Sequence, residues 1–416
     1  MQKNEPLRFL NPKSCAEIAK KFGTPCFVYS EEGIRASAGE TLKFPNAFGL
    51  TVRYAMKASP NAAILKIFDS MGLHIDASSG YEVHRALKAG IKPEKICLSS
   101  QELPDDFVLL HQKGVKINAC SLYQLQCLAE ALPGQSVGLR FNPGMGSGGT
   151  GKTNVGGPSS SFGIWHQNIP EVKALLKKSA MVAQRIHTHI GSGSDPEVWQ
   201  RVAHMSLDLV RQFPEATILD LGGGYKVGRM KDEPSTDLNT VAAPIRTAFE
   251  DLATNTGRRI HLEIEPGTFL LANSGSLLCR VQDLTDTGSE GYSFIKLNTG
   301  MTEILRPSLY AAQHPIIIIN QSDTTKDYVV SGHCCESGDL LTPHSEDAER
   351  LLPRTLNRAN IGDLCVIEGV GAYCASMSCK NYNSFPEVAE VLLPLTGEAR
   401  LIRRRQTLEQ IIENEV

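Results

Sequence analysis

The sequence predicts an α/β fold, a (β/α)8 barrel (TIM barrel) joined to an antiparallel β domain, and three observations carry that expectation. Between residues 51 and 265, eight short apolar runs rich in β-branched residues alternate with segments of helical periodicity. After about residue 280 the alternation stops, and Gly, Asn, Asp and Pro punctuate a series of short runs instead. Apolar residues make up 41% of the 416, an ordinary share for a chain that buries a core.

Each element follows from its local pattern. The run 51–57 precedes a helix over 62–71, 73–79 precedes 81–89, 95–100 precedes 105–113, and 116–121 precedes 123–132. The fifth run, 136–142, is separated from its helix, 169–178, by a Gly/Ser-rich insertion over 144–161. Then 185–191 leads to 199–213, 217–221 leads to 238–253, and 260–265 closes the series. Strand-helix units in that number close into a parallel barrel, with chemistry at the carboxyl ends of the strands. Further strands are expected at 293–297, 316–319, 328–330, 364–368 and 389–393, with 27–30 as an extra strand of the same domain and a short charged helix over 403–416. The division is therefore a barrel over 35–285 and a β domain from 1–34 and 286–416.

Composition excludes several classes. A formal net charge of -3 leaves no basic field for nucleic acid or an anionic membrane. No apolar run approaches the roughly 20 residues that span a bilayer. Residues 1–12 are polar, are broken by Pro6 and Pro12, and lack the apolar core of a signal peptide, so a cytoplasmic location is expected. The eleven cysteines contain no CxxC pair at zinc-site spacing, and Cys374 and Cys379 read as structural.

The strand ends carry the chemistry. Lys57, in the segment 54–61, is an amine at the end of the first run, stopped at once by a turn, and is a candidate to form a Schiff base. The sixth run ends in His187-Thr188-His189, the seventh in Gly222-Gly223-Gly224, and the eighth in Glu265-Pro266-Gly267. Taken singly, each has another reading: the glycines as a tight turn, Glu265 as a helix cap, and the histidine pair as metal ligands or as one packed and one solvated ring. Together they match pyridoxal phosphate, which needs a lysine, an anion cradle, a flat side chain against its ring and a partner for its pyridine nitrogen. A carboxylate beside that nitrogen favours its protonated form, which draws electrons from a substrate α-carbon.

The blocks YAMKASPN, HTHIGSG, LDLGGG, EIEPG, TEILRPSLY, HCCESGD and GAYCASMSCKNYNS occur in this order between residues 54 and 384, within a similarity that runs from about residue 27 to residue 393. Their order resembles that of the diaminopimelate decarboxylases, within the barrel-type pyridoxal phosphate decarboxylases that include ornithine and arginine decarboxylases. The resemblance implies an alanine-racemase-like barrel followed by a β domain, working as a homodimer with active sites at the subunit interface. It implies that Lys57 holds the cofactor, that His189 stacks on its ring, and that Ser192, Gly222, Gly223 and Gly224 serve the phosphate end. It further implies that Glu265, beside Gly267, pairs with the pyridine nitrogen, that Tyr373 contacts cofactor and substrate, and that Cys335 and Glu336 enter from the other subunit. Cys335 would return a proton to the α-carbon, and Arg306 and Tyr310 would hold the distal end of the substrate. The implied reaction is decarboxylation of meso-diaminopimelate to L-lysine and carbon dioxide, with no metal.

Two departures bear on the substrate. Members of this family usually read EPGR and YNSRP where this chain has Thr268 and Phe385, so two cations are missing. Lys226 after the glycine run, or Lys152 in the insertion, could replace the charge, and the insertion could form a lid. The alternative substrates are D- or L-ornithine, D- or L-lysine, and carboxynorspermidine. A metal-dependent hydrolase would use His187 and His189 but needs further ligands, and Asp220 is expected inside its strand. A catalytically silent relative would have no need of Lys57, Glu265 and Cys335 together, and a racemase of the family would place an arginine where Glu265 stands.

Overall fold

The computed structural model describes residues 5–146, 155–189, 191 and 195–416. Two compact units emerge, one formed by residues 35–226 and 234–270, the other by residues 1–34, 227–233 and 271–416. Among the described residues, no helix is long and apolar enough to cross a membrane.

The first unit is a closed parallel barrel. Its strands are Leu50–Ala55, His74–Ala77, Ile96–Leu98, Lys116–Ala119, Ser136–Asn142, Val182–Thr188, Ile218–Asp220 and His261–Ile264. Closure comes from the last strand pairing parallel with the first, Leu262 opposite Leu50 and Ile264 opposite Val52. A two-residue strand, Ile164–Trp165, adds to the edge of the fifth. The helices start where short polar side chains take up free backbone N–H groups: Asn61, Ser79, Ser121 and Asp237 each accept from the first turn of the helix that follows. Such caps contribute about 1 kcal/mol each.

The barrel interior is built in polar layers, because residues two apart on a strand share a face. In the lower layer Arg53 is fully buried, its Nε 2.8 Å from Glu263 Oε2 and its Nη2 2.9 Å from Oε1. Arg185 donates from Nη2 to Glu263 Oε1 at 3.0 Å and from Nη1 to Cys97 Sγ at 3.1 Å. Burial opposes the Glu263 charge most strongly, yet Arg53 and then Arg185 hold the carboxyl down at about 2.

The second unit centres on a nine-stranded sheet. Cys26–Ser30 lies inside it, antiparallel to Gly275–Asp286 on one side and parallel to Ala389–Leu393 on the other. Ser293–Leu297 also runs parallel to Thr325–Ser331. The sheet is therefore mixed, where the short punctuated runs suggested antiparallel pairing throughout. Gly275–Asp286 pairs only within this sheet, so the chain passes out of the barrel unit at Leu271, ahead of the expected residue 285. The charged tail also differs from expectation: Arg400–Arg403 is a strand on Ala389–Leu393, and the helix is confined to Leu408–Ile412. An unanticipated helix, Pro12–Phe22, is capped by Asn11 and packs Cys15 and Ile18 against Cys26, Val28, Leu278 and Val366.

Candidate active site

Lys57 rides a single 3-10 turn, Met56–Ala58, immediately after the first barrel strand. The strand stops at Ala55, two residues short of the expected end. The Ala55 N–H donates to the Pro266 carbonyl at 3.2 Å, which ties the Lys57 turn to the segment that carries Glu265. The lysine is exposed, yet its charge acts on Asp76, His189 and Glu265.

Glu265 is buried just past the end of the last strand, with Oε2 3.4 Å from His187 Nε2. Its Oε1 is buried without a hydrogen-bond partner among the described residues, as is His189 Nδ1. Asn118 Nδ2 approaches His187 Nδ1 at 3.5 Å, which leaves the ring proton on Nε2 facing Glu265. Burial pushes His187 down, and burial with Arg140 and Lys57 pushes His189 well down, so both rings are neutral at pH 7. Burial and the Glu265 charge drive Asp76 well above the usual carboxyl range, and the same influences with Glu263 do so for Asp220. Burial opposes ionisation of Glu265 too, but His187, His189 and Lys57 together hold it well below that range. Glu265 is thus held in its ionised form, beside Asp76 and Asp220, whose surroundings favour the protonated form.

The glycine run is shaped by close approach. Gly222 has φ +70°, and a Cβ there would sit 2.7 Å from His189 Cγ. At Gly223 a Cβ would lie 2.2 Å from the Glu265 carbonyl oxygen. The Gly222 N–H donates to Asp220 Oδ1 at 2.8 Å, and the Glu265 N–H donates to the Gly222 carbonyl at 2.9 Å. Carboxylate and glycine run are therefore one hydrogen-bonded assembly, and we expect Gly223→Ala to weaken cofactor binding at least tenfold, since a backbone contact at that distance must open. A titration of the apoenzyme followed by cofactor absorbance checks this, and unchanged affinity would remove the glycine run from the cradle.

An amine, a neutral flat ring, an anion cradle with no room for side chains and an ionised carboxylate with one free oxygen fit pyridoxal phosphate. The ligand atoms of His187, Asp220 and Glu265 also lie within 4.8 Å of one another, a spacing open to a metal ion, although Asp220 Oδ1 already accepts from the glycine run. Asp220 is the last residue of its strand rather than an interior one. Asp76, Arg140 and Asp220 were not singled out from the sequence as part of this layer. The signal available was a charged residue within an otherwise apolar, fully buried parallel strand.

The sheet unit holds the remaining expected residues. Arg306 opens the helix Arg306–Tyr310 with its guanidinium 5.8 Å from the Tyr310 ring centre. Cys335 is exposed, and its N–H donates to Asn383 Oδ1 at 2.8 Å. Glu336 accepts from the Gly338 N–H at 3.1 Å and from the Tyr382 hydroxyl at 3.4 Å. Tyr373 has φ 57°, a left-handed conformation that a bulky residue adopts only under constraint. Phe385 stacks on His333 with ring centres 3.7 Å apart. In the barrel unit, Gly267 is buried, Thr268 begins the short helix Thr268–Leu271, and Lys226 is exposed. Ser192, Lys152 and the middle of the 144–161 insertion, with the expected lid, lie outside the described residues.

The family model of the pyridoxal-dependent decarboxylases, pyridoxal binding domain, matches residues 38–272. The diaminopimelate decarboxylase of Escherichia coli K12 is 33% identical over 426 residues, covering 98% of this chain and 97% of that protein. That of Streptomyces coelicolor is 34% identical over 413 residues, covering 96% and 91%. The solved diaminopimelate decarboxylase of Helicobacter pylori in complex with L-lysine is 29% identical, with a TM-score of 0.83 and coverage of 96% and 98%. The barrel with its buried carboxylate and glycine cradle, and the match along nearly the whole chain, place this protein in the diaminopimelate decarboxylase family of pyridoxal-dependent decarboxylases.

Proposed function

We propose that this enzyme decarboxylates meso-diaminopimelate to L-lysine and carbon dioxide, as a cytoplasmic homodimer whose sheet unit contributes to the active site. The observation that carries the reading is the ionised, buried Glu265 with an open Oε1 on the same barrel rim as Lys57. When bound, pyridoxal phosphate supplies an electron-accepting ring for the pair released as carbon dioxide leaves. Glu265 would hold the protonated ring nitrogen of the cofactor with Oε1. His187 faces the other carboxylate oxygen, its Nε2 3.4 Å from Oε2. His189, neutral, offers a flat face that adds no charge to the ring beside it.

Lys57 would supply the amine that holds the cofactor. The backbone N–H groups of Gly223 and Gly224, with Ser192, would take the phosphate, beside Gly222, whose own N–H is held by Asp220. Cys335 delivers a proton from Sγ to the α-carbon. Arg306, Tyr310, Glu336, Tyr373 and Thr268 surround the distal part of the substrate, where a guanidinium suits a carboxylate.

A second reading has its own observation. Thr268 and Phe385 stand where relatives carry arginine, which suits an amino acid without a distal carboxylate, such as D- or L-ornithine or D- or L-lysine, or carboxynorspermidine. Carbon dioxide release from these substrates and from meso-diaminopimelate separates the two. We expect kcat/KM to favour meso-diaminopimelate by at least about tenfold, the value of one charge-assisted hydrogen bond. A tenfold preference for any of the others would replace the first reading with the second.

A further inference from the structure

The sheet unit contains buried positive charge that no described carboxylate balances. Arg229 lies in the short stretch 227–233 that belongs to this unit, and it is only 7% exposed. Its Nε donates to the Gly369 carbonyl at 3.0 Å, while its Nη2 is buried without a hydrogen-bond partner among the described residues. Arg306 Nε is buried and unpartnered in the same way. The two guanidinium groups share one locality. Burial, then Arg306, pushes Arg229 down to about 9, and the buried Cys374 thiol feels both cations.

The nearby carboxylates are otherwise engaged. Glu233 Oε2 accepts the backbone N–H of Arg229 at 2.8 Å, not its guanidinium. Glu368 accepts from the Ser276 hydroxyl at 2.6 Å and the Arg8 N–H at 3.1 Å. His314 sends Nδ1 to the Glu368 carbonyl at 3.0 Å, and burial with Arg229 and Arg306 keeps it neutral, so it adds no countercharge. Gly369, at φ +70°, makes room for the arginine: a Cβ there would sit 3.0 Å from Arg229 Cγ. A buried guanidinium beside a half-buried one, each with an unsatisfied buried donor, is costly unless an anion completes them.

We infer that Arg229 and Arg306 form a two-guanidinium pocket for the distal carboxylate of the amino-acid substrate, Arg229 supplying the cation that is lost at Thr268 and Phe385. The inference rests on the proposed function and specifies which residue sets its substrate preference. Lys226, one of the two replacements considered from sequence, is exposed.

The test compares two ligands of the holoenzyme that differ by one carboxylate, L-lysine and cadaverine, by calorimetry. Arg229→Met should weaken L-lysine about tenfold or more while changing cadaverine less than about twofold, and Arg229→Lys should restore part of the loss. Equal weakening of both ligands, or unchanged L-lysine affinity, overturns the inference. Should Arg229→Met fail to fold, Arg229→Lys alone decides, with a selective partial loss supporting the pocket and an equal loss rejecting it. Failure of the substrate reading shows separately, as wild-type preference for another amino acid while the selective effect of Arg229 on L-lysine persists.

Discussion

Replacing Lys57 by alanine is expected to lower carbon dioxide release by about a thousandfold or more and to remove the absorbance of the covalently held cofactor. The amine is what attaches the cofactor and what the substrate amine must displace, so truncation at Cβ leaves only non-covalent binding. A second consequence follows from charge. Lys57 is among the cations that favour the ionised form of Glu265, and it also presses His189 towards neutrality. Without it, the Glu265 carboxyl rises and the His189 ring rises, so residual activity should shift its acid limb to higher pH. Activity within tenfold of wild type would assign the attachment elsewhere.

The second large effect is on stability. Glu263→Gln leaves Arg53 and Arg185 facing one another in the barrel with no counterion, and breaking a buried pair from one side costs about 3 to 5 kcal/mol. Urea unfolding followed by fluorescence should show that loss, and a loss under 1 kcal/mol would mean that water enters the layer. The pH dependence has a fixed sign. The folded carboxyl sits at about 2 against an ordinary 4.5, so its contribution is complete above pH 4.5 and is lost as pH falls through 2.

Much of this fold was legible because buried strands declare themselves. The runs at 136–142, 293–297, 316–319, 364–368 and 389–393 coincide with the observed strands, since β-branched residues between turn formers leave little freedom in where a strand begins. Lys57 shows where local pattern ends: the strand stops at Ala55, and the lysine is presented by the turn instead. Arg403 was read as the first residue of a short charged helix. It closes a strand on the sheet edge, where it pairs with Glu387 and Glu390, partners more than ten residues away. Asp76 escaped notice for a related reason, and Asp220 was weighed only as a metal ligand. A carboxyl inside a strand signals an error of assignment unless the neighbours that keep it protonated are known, and those neighbours come from other strands. Arg229 is the extreme case, since nothing in its own segment distinguishes it from a solvated arginine.

The position of Cys26–Ser30 between Gly275–Asp286 and Ala389–Leu393 sets an order on biosynthesis. The strand is made well before either neighbour, and more than 100 residues separate those two from one another. The eight barrel strands, all complete by Ile264, can close while this apolar segment still has no sheet to join. Until Gly275–Asp286 and Ala389–Leu393 are made, the segment has neither of its sheet partners, and an unpaired apolar strand is open to wrong pairing.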